Sequence, residues 1–258
     1  MVFTVRPRER DAHLLLDERR LITPDVPVHI YRDSFGNTCW RLLAPLGELR
    51  LHYDAVAEHP AMPDPTFPNL LGTQVQDLPD DVMIYTLSSR YCQSDLVIKE
   101  AWDLFGKTPD GWARVQAICD WTHANVEYVK GSSWSGTSGY DAYYQRKGVC
   151  RDYAHIGVML CRAVNIPARY CCGYMGEIGM MPDSAPMDFH AWFEAYVGGV
   201  WRTFDARYNQ PRIGRIVISR GRDAVDASLT TIYGFSVLTK FMVWTDQVTD
   251  EFVLPHDG

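Results

Sequence analysis

The chain reads as an α+β protein in which a central helix packs on an antiparallel sheet and a small antiparallel β unit comes first. Three observations predict it. Short β-type runs bounded by turn residues fill the first part of the sequence, a proline-rich stretch interrupts it, and one long apolar segment is then followed by further β-type runs. The chain has 258 residues, 47% of them hydrophobic, with 8 Trp and 14 Tyr, enough to form a core without covalent staples.

Taken in order, VPVHIY, TCWRLL and GELRLHYDAV are strand candidates, the first two joined by a turn at DSFGN, and Gly, Asn, Asp or Pro bounds each. Pro60, Pro63, Pro65, Pro68 and Pro79 exclude regular helix or central strand between His59 and Asp81, which places a linker there. The expected division is a β domain over 1–75 and a second domain over 76–258. Ser94 is positioned to cap SDLVIKEAWDLF. Thr108 and Pro109 open TPDGWARVQAICDWTHANV, where Trp112, Val115, Ile118 and Thr122 recur at helical spacing. The loop GSSWSGTSG and a short polar helix lead to a turn at Gly148 and a helix from Cys150, closed by Pro167. PARYCCGY, DFHAWFEAYV and VWRTFDA follow as strands, and RIVISR and FSVLTKFMVW extend the β pattern into the tail.

The formal net charge is −7, from 25 Lys and Arg against 32 Asp and Glu, and the charges are interspersed. Without a basic run to track a phosphate backbone, nucleic acid is not an expected partner. MVFTVRPRERDAHLL meets its charges before any apolar stretch, unlike a secretory signal, and no segment approaches the roughly 18 continuous apolar residues of a membrane span. A soluble cytoplasmic protein with no membrane partner is expected. Seven cysteines at irregular spacing in a chain of this length read as reduced thiols and not as a disulfide framework.

Within GVCRDYAHIGVMLCRAV, Cys150 stands where the helix begins. A thiol titrates near 8.5, and a helix N-terminus or an adjacent cation brings that down to roughly 3.5–7.5. Gly148 supplies the turn, Arg151 a cation, and the helix dipole directs its positive end at the sulfur. A thiol that only packs is the alternative, the common fate of free cysteine.

In DFHAWFEAYVGGVWRTFDA, two β-type runs flank Gly198-Gly199 and read as a two-residue hairpin. Val197 then faces Val200 and Trp192 lies across from Asp205. This puts His190 diagonal to Asp205 on one face, at a Cβ separation of about 7–8 Å. An imidazole and a carboxylate span that gap, so Asp205 is placed to orient His190 as a base and to favour its protonated form. A half-buried strand histidine beside a solvated aspartate is the other reading of the hairpin taken alone.

The blocks GVCRDYAH, DFHAWFEAYV and WRTFDAR, in that order and spacing, resemble the transglutaminase-like superfamily, in particular its bacterial members described as cysteine proteases. The YRDSFGN turn and the stretches SSRYCQSD and PRIGRIVISRGRDAVDASLTTIYG resemble the flanks of those proteins, so most of the chain is covered. The resemblance implies a papain-like transglutaminase core with Cys150 as nucleophile, His190 as base and Asp205 as the residue that orients it. It implies acyl transfer through a thioester, with a peptide or protein substrate and neither cofactor nor metal. Hydrolysis of an amide or peptide bond is the expected outcome. The same site resolved by an amine is a transglutaminase, and an inert cleft that holds a peptide is a binding module. The backbone N–H of Cys150 is the nearest oxyanion donor, and Gln145 and Trp134 are upstream side-chain candidates. An exposed helix position also explains Gln145, and a loop aromatic packed over the cleft explains Trp134. Asp152 fits a first-turn carboxylate serving the helix dipole.

Other motifs read as structure. AWDLFGKT satisfies a relaxed phosphate-loop pattern, but a helical run precedes it, and Trp, Leu and Phe occupy the part whose backbone must wrap phosphate. Gly106 is expected to end a helix and Thr108 to cap the next. Cys119 and His123 share a helical face, yet adjacent Cys171 and Cys172 alternate across a strand, so no second pair completes a zinc site. His155 is expected to make a structural hydrogen bond, and Trp192, Tyr196 and Trp201 to lie mainly in the core.

Overall fold

A computed structural model describes residues 1–9, 13–179 and 187–248. Five strands come first: β1 (Val2–Phe3), β2 (Leu14–Thr23), β3 (Val28–Arg32), β4 (Thr38–Leu42) and β5 (Arg50–Glu58). The middle holds α1 (Asp80–Met83), α2 (Ile98–Phe105), α3 (Trp112–Asn125), β6 (Glu127–Tyr128), α4 (Gly139–Gln145), β7 (Lys147–Gly148) and α5 (Cys150–Ala163). The remainder is β8 (Ala168–Met175), β9 (His190–Val197), β10 (Val200–Phe204), β11 (Arg215–Gly221) and β12 (Thr230–Thr231). Among the described residues no helix is long and apolar enough to cross a membrane.

Asp33 builds the β3–β4 turn: its Oδ1 accepts the N–H groups of Phe35 and Asn37 at 2.9 and 2.8 Å, and Gly36 takes φ +76°. The resulting hairpin joins β1, and the chain returns from its far end to add β12, giving the antiparallel order β12-β1-β4-β3. β2 and β5 pair separately as a long two-stranded ribbon. LLLDERRLIT, the sequence of β2, carries no clean alternation and was not among the expected strands; its partner β5, 27 residues beyond its end, is what makes it one.

The second sheet, order β10-β9-β8-β11, is antiparallel throughout, and α5 lies across it. Tyr153 through Ala163 of α5 are all buried, and the helix's buried polar side chains Asp152, His155 and Arg162 find hydrogen-bond partners inside. Ile156, Met159 and Leu160 share one core with Phe193, Ala195 and Val197 of β9. Gly157 lets the layers approach: a Cβ there stands 2.4 Å from Cε1 of Phe193. An exposed Gly→Ala change in a helix gains about 1 kcal/mol. Gly157→Ala is expected instead to lose about 1–3 kcal/mol, read as a lower urea midpoint, because the ring has to move.

Three local expectations fail for identifiable reasons. Ser94 lies in a short 3-10 turn and caps nothing; α2 begins at Ile98, after fully buried Val97. The next helix starts at Trp112, not Thr108, so Thr108 is not its cap. Gly111 takes φ +97°, the Trp112 N–H donates to Leu70 O at 2.9 Å, and a Cβ on Gly111 would stand 2.4 Å from Gly72 N. Docking of the proline-rich linker sets this start, so a long-range contact overrides the Thr-Pro signal. In the tail, RIVISR forms β11, but residues 235–244 form no strand. Phe235, Val237 and Leu238 are exposed, and no ladder partner lies alongside among the described residues. β-propensity makes no strand without a neighbouring edge.

Candidate active site

Parallel pairing of β6 with β7 delivers the chain to the first turn of α5. Cys150 is the first residue of that helix, and Asp152, fully buried, accepts the Val149 N–H at 2.8 Å through Oδ2. Asp152 thus serves the helix start, as a first-turn carboxylate should. Gly148 acts differently from the expected turn residue. Its φ is not positive; what matters is space, since a Cβ would stand 2.6 Å from Cβ of Asp152. Arg151 reaches back to the preceding loop, donating from Nη2 to Trp134 O at 2.6 Å and Ser133 Oγ at 3.2 Å.

Cys150 is half-buried, whereas the other six cysteines are buried. Burial pushes Cys92 up to about 12 and raises Cys119, Cys161 and Cys172 as well, which keeps those thiols protonated and inert. Cys150 Sγ lies 4.0 Å from the carbonyl oxygen of Phe189, the residue before His190.

The hairpin has the expected register. Gly198 and Gly199 both take positive φ, +63° and +79°, the requirement of a two-residue turn that matches strand twist. Val200 faces Val197, and the ladder runs to Phe204 opposite Phe193. His190 opens β9 and Asp205 follows β10, and His190 Nε2 meets Asp205 Oδ2 at 2.8 Å. The carboxylate is saturated: Oδ1 accepts the N–H groups of Arg207 at 3.0 Å and Tyr208 at 3.2 Å, and Oδ2 also accepts Arg215 Nη2 at 2.8 Å. Burial opposes the charge on Asp205, but His190 and Arg215 outweigh it and hold the carboxyl well below its usual range. Burial likewise opposes charge on His190. The Asp205 charge and hydrogen bond, joined by the influence of Cys150, prevail and lift the imidazole to about 9. The ring lies between Trp192, stacked at 6.1 Å, and Tyr208 at 5.2 Å.

The structure therefore brings Cys150, His190 and Asp205 together across α5, β9 and the end of β10. Gln145 and Trp134 are both exposed, the first at the last turn of α4 and the second on the loop held by Arg151. His155 is fully buried, accepts the Ala224 N–H on Nε2 at 3.2 Å, stacks on Tyr91 and meets Tyr170 at a tilt. Burial drives its pKa far down, so it is a neutral structural group. Trp192 packs with Cys171 and Val217, and Tyr196 with Leu78, Val82 and Trp201. Among the described residues no three His, Cys, Asp or Glu side chains converge as a metal site requires.

Reasoning from sequence missed Arg215, Asp64 and Tyr208. Arg215 opens the RIVISR strand as the first of a run of buried residues, and an arginine in such company signals a buried counter-ion. Asp64 lies in the proline-rich linker, where no local pattern marks it.

The model of the transglutaminase-like superfamily matches residues 102–206. The crystal structure of a "putative cysteine protease" from Cytophaga hutchinsonii superposes with a TM-score of 0.81 at 38% identity, covering 91% of this chain and 80% of that one. The uncharacterized protein ML0607 of Mycobacterium leprae is 28% identical over 240 residues, 88% of this chain and 84% of that protein. On this identity and coverage, the chain belongs to the transglutaminase-like superfamily.

Proposed function

We propose that the protein is a cysteine-dependent amide or peptide hydrolase working through a thioester, with Cys150 as nucleophile, His190 as acid and base, and Asp205 orienting His190. The observation that carries this reading is the buried contact of His190 Nε2 with Asp205 Oδ2 at 2.8 Å, with Cys150 at the start of α5 among the groups that favour the charged imidazole. Asp205 occupies Nε2, so Nδ1 is the nitrogen available to the thiol. Proton transfer from Sγ to Nδ1 yields a thiolate beside an imidazolium that Asp205 stabilises.

The thiolate attacks the amide carbonyl carbon, and the oxygen takes up the negative charge, stabilised by the Cys150 N–H at the helix terminus. The C–N bond breaks as the imidazolium gives its proton to the departing amine. His190 then removes a proton from water, the hydroxyl adds to the thioester, and the C–S bond breaks to release the acid and restore the thiolate.

Replacing that water by a primary amine gives a transglutaminase on the same site. Product analysis with a glutamine-containing peptide, with and without a primary amine, separates them. Ammonia and the glutamate peptide in both reactions support hydrolysis; an amide adduct assigns transfer. The binding-module alternative expects no product in either reaction, with peptide retained on the protein.

A further inference from the structure

We propose that Arg215 and Asp64 are positioning residues that hold the Asp205 carboxylate against His190 and divide its charge between the imidazole and a buried guanidinium. The inference rests on the Cys-His-Asp reading and adds to it two residues that lie outside the segment matching the family model.

Arg215 is buried at the first position of β11. Its Nη2 is 2.8 Å from Asp205 Oδ2, the same oxygen that meets His190 Nε2 at 2.8 Å. Its Nε is 2.8 Å from Asp64 Oδ2. Asp64 is clamped to the loop before β11: its N–H donates to Arg212 O, and its Oδ2 accepts the Arg212 N–H, both at 2.9 Å. The guanidinium lies 5.1 Å over Trp192, the ring that stacks on His190. Asp64, Arg215, Asp205 and protonated His190 thus alternate in charge along one continuous line of contacts.

Each member has a physical reason. A buried carboxylate facing only an imidazole stabilises the imidazolium strongly and makes it reluctant to release its proton. A cation on the same oxygen withdraws part of that field. A buried guanidinium with Asp205 as its only counter-ion would in turn pull the carboxylate away from His190. Asp64 provides the second negative charge, so Arg215 is balanced while Asp205 stays on the imidazole.

The titratable and charged groups around His190 come from several elements. Cys150 belongs to α5, Asp205 and Tyr208 follow β10, and Asp188 precedes His190 on its own segment. Arg207 and Arg212 lie over Tyr208 at 5.2 and 4.4 Å, and Arg215 and Asp64 stand behind Asp205. Arg215 meets the carboxylate with its charged side chain and Asp64 meets Arg215, whereas Arg207 and Tyr208 touch that carboxylate through their backbone N–H groups.

The test is an NMR titration of the His190 imidazole in the full chain as wild type, Asp64→Asn, Arg215→Met and Arg215→Lys. Iodoacetamide labelling of every cysteine in the wild type, read by mass spectrometry, runs beside it. Removing the Asp64 charge is expected to lower the His190 midpoint by roughly half a unit or more, and removing the Arg215 charge to raise it by about one unit. Lys at 215 restores most of the wild-type value. Loss of packing alone does not move two midpoints in opposite directions. Midpoints that stay at the wild-type value, or that shift the same way in both charge-removing variants, overturn the proposal. Should Arg215→Met fail to fold, Asp64→Asn decides alone, since its amide keeps an accepting oxygen and the side-chain shape: a fall supports the proposal, no fall overturns it. The underlying triad reading is judged separately, because a wild-type Cys150 that labels no faster than the buried cysteines removes that reading whatever the variants do.

Discussion

Cys150→Ala is expected to lower turnover of any amide substrate by at least about 10⁴-fold while the fold stays intact. The asymmetry follows from where the sulfur sits. Cys150 is half-buried, and its Sγ contact to the Phe189 carbonyl is 4.0 Å long, so removing the sulfur strands no deeply buried polar partner. The helix start is held by Asp152 through the Val149 N–H, which the substitution leaves alone. Turnover measured beside a thermal melt checks both halves. Residual turnover within tenfold of wild type would assign the chemistry to another group.

The second large effect falls on stability as well as rate. Asp205→Ala removes the acceptor of His190 Nε2, Arg215 Nη2 and two backbone N–H groups at once. It leaves a buried guanidinium with Asp64 alone as counter-ion among the described residues, and the expected loss is about 3–5 kcal/mol of folding free energy. The pH dependence has a definite sign. His190 is raised from its usual 6.5 to about 9, so the stability it contributes is fully present below pH 6.5 and is lost as pH rises through about 9. For a shift of that size the loss is about 3 kcal/mol. Asp205 is depressed, so its contribution is present above the ordinary carboxylate range and disappears only as pH falls through its lower folded value. Urea midpoints across the alkaline window check the first statement: the wild type weakens there, and Asp205→Ala, already weaker, shows a much flatter profile. An unchanged slope in the variant would mean that the His190–Asp205 contact is not the source.

The parts of this molecule that were legible in sequence are those governed by short-range periodicity. A Gly-Gly pair between two β-type runs determines strand parity, and parity determines that His190 and Asp205 share a face; the observed ladder follows that count residue for residue. The apolar stretch after Cys150 had to be an enclosed helix, and the DSFGN turn follows from the reach of an aspartate side chain to its own backbone. Where local signals failed, a distant segment had taken the decision. The Thr108-Pro109 start lost to the docking of Leu70 and Gly72, and the apolar tail residues 235–244 pair with no edge among the described residues.

By itself, then, the sequence determined the α+β class, the helix that presents Cys150 and the strand register that joins His190 to Asp205, since backbone period and turn chemistry act over a few residues. Tertiary structure alone decided what surrounds them. Gly148 is needed for the room it leaves Asp152, and Arg215 and Asp64, 151 positions apart, meet behind Asp205. Charge compensation in a buried site depends on which groups the whole fold brings within a few ångströms, and no local pattern encodes that distance.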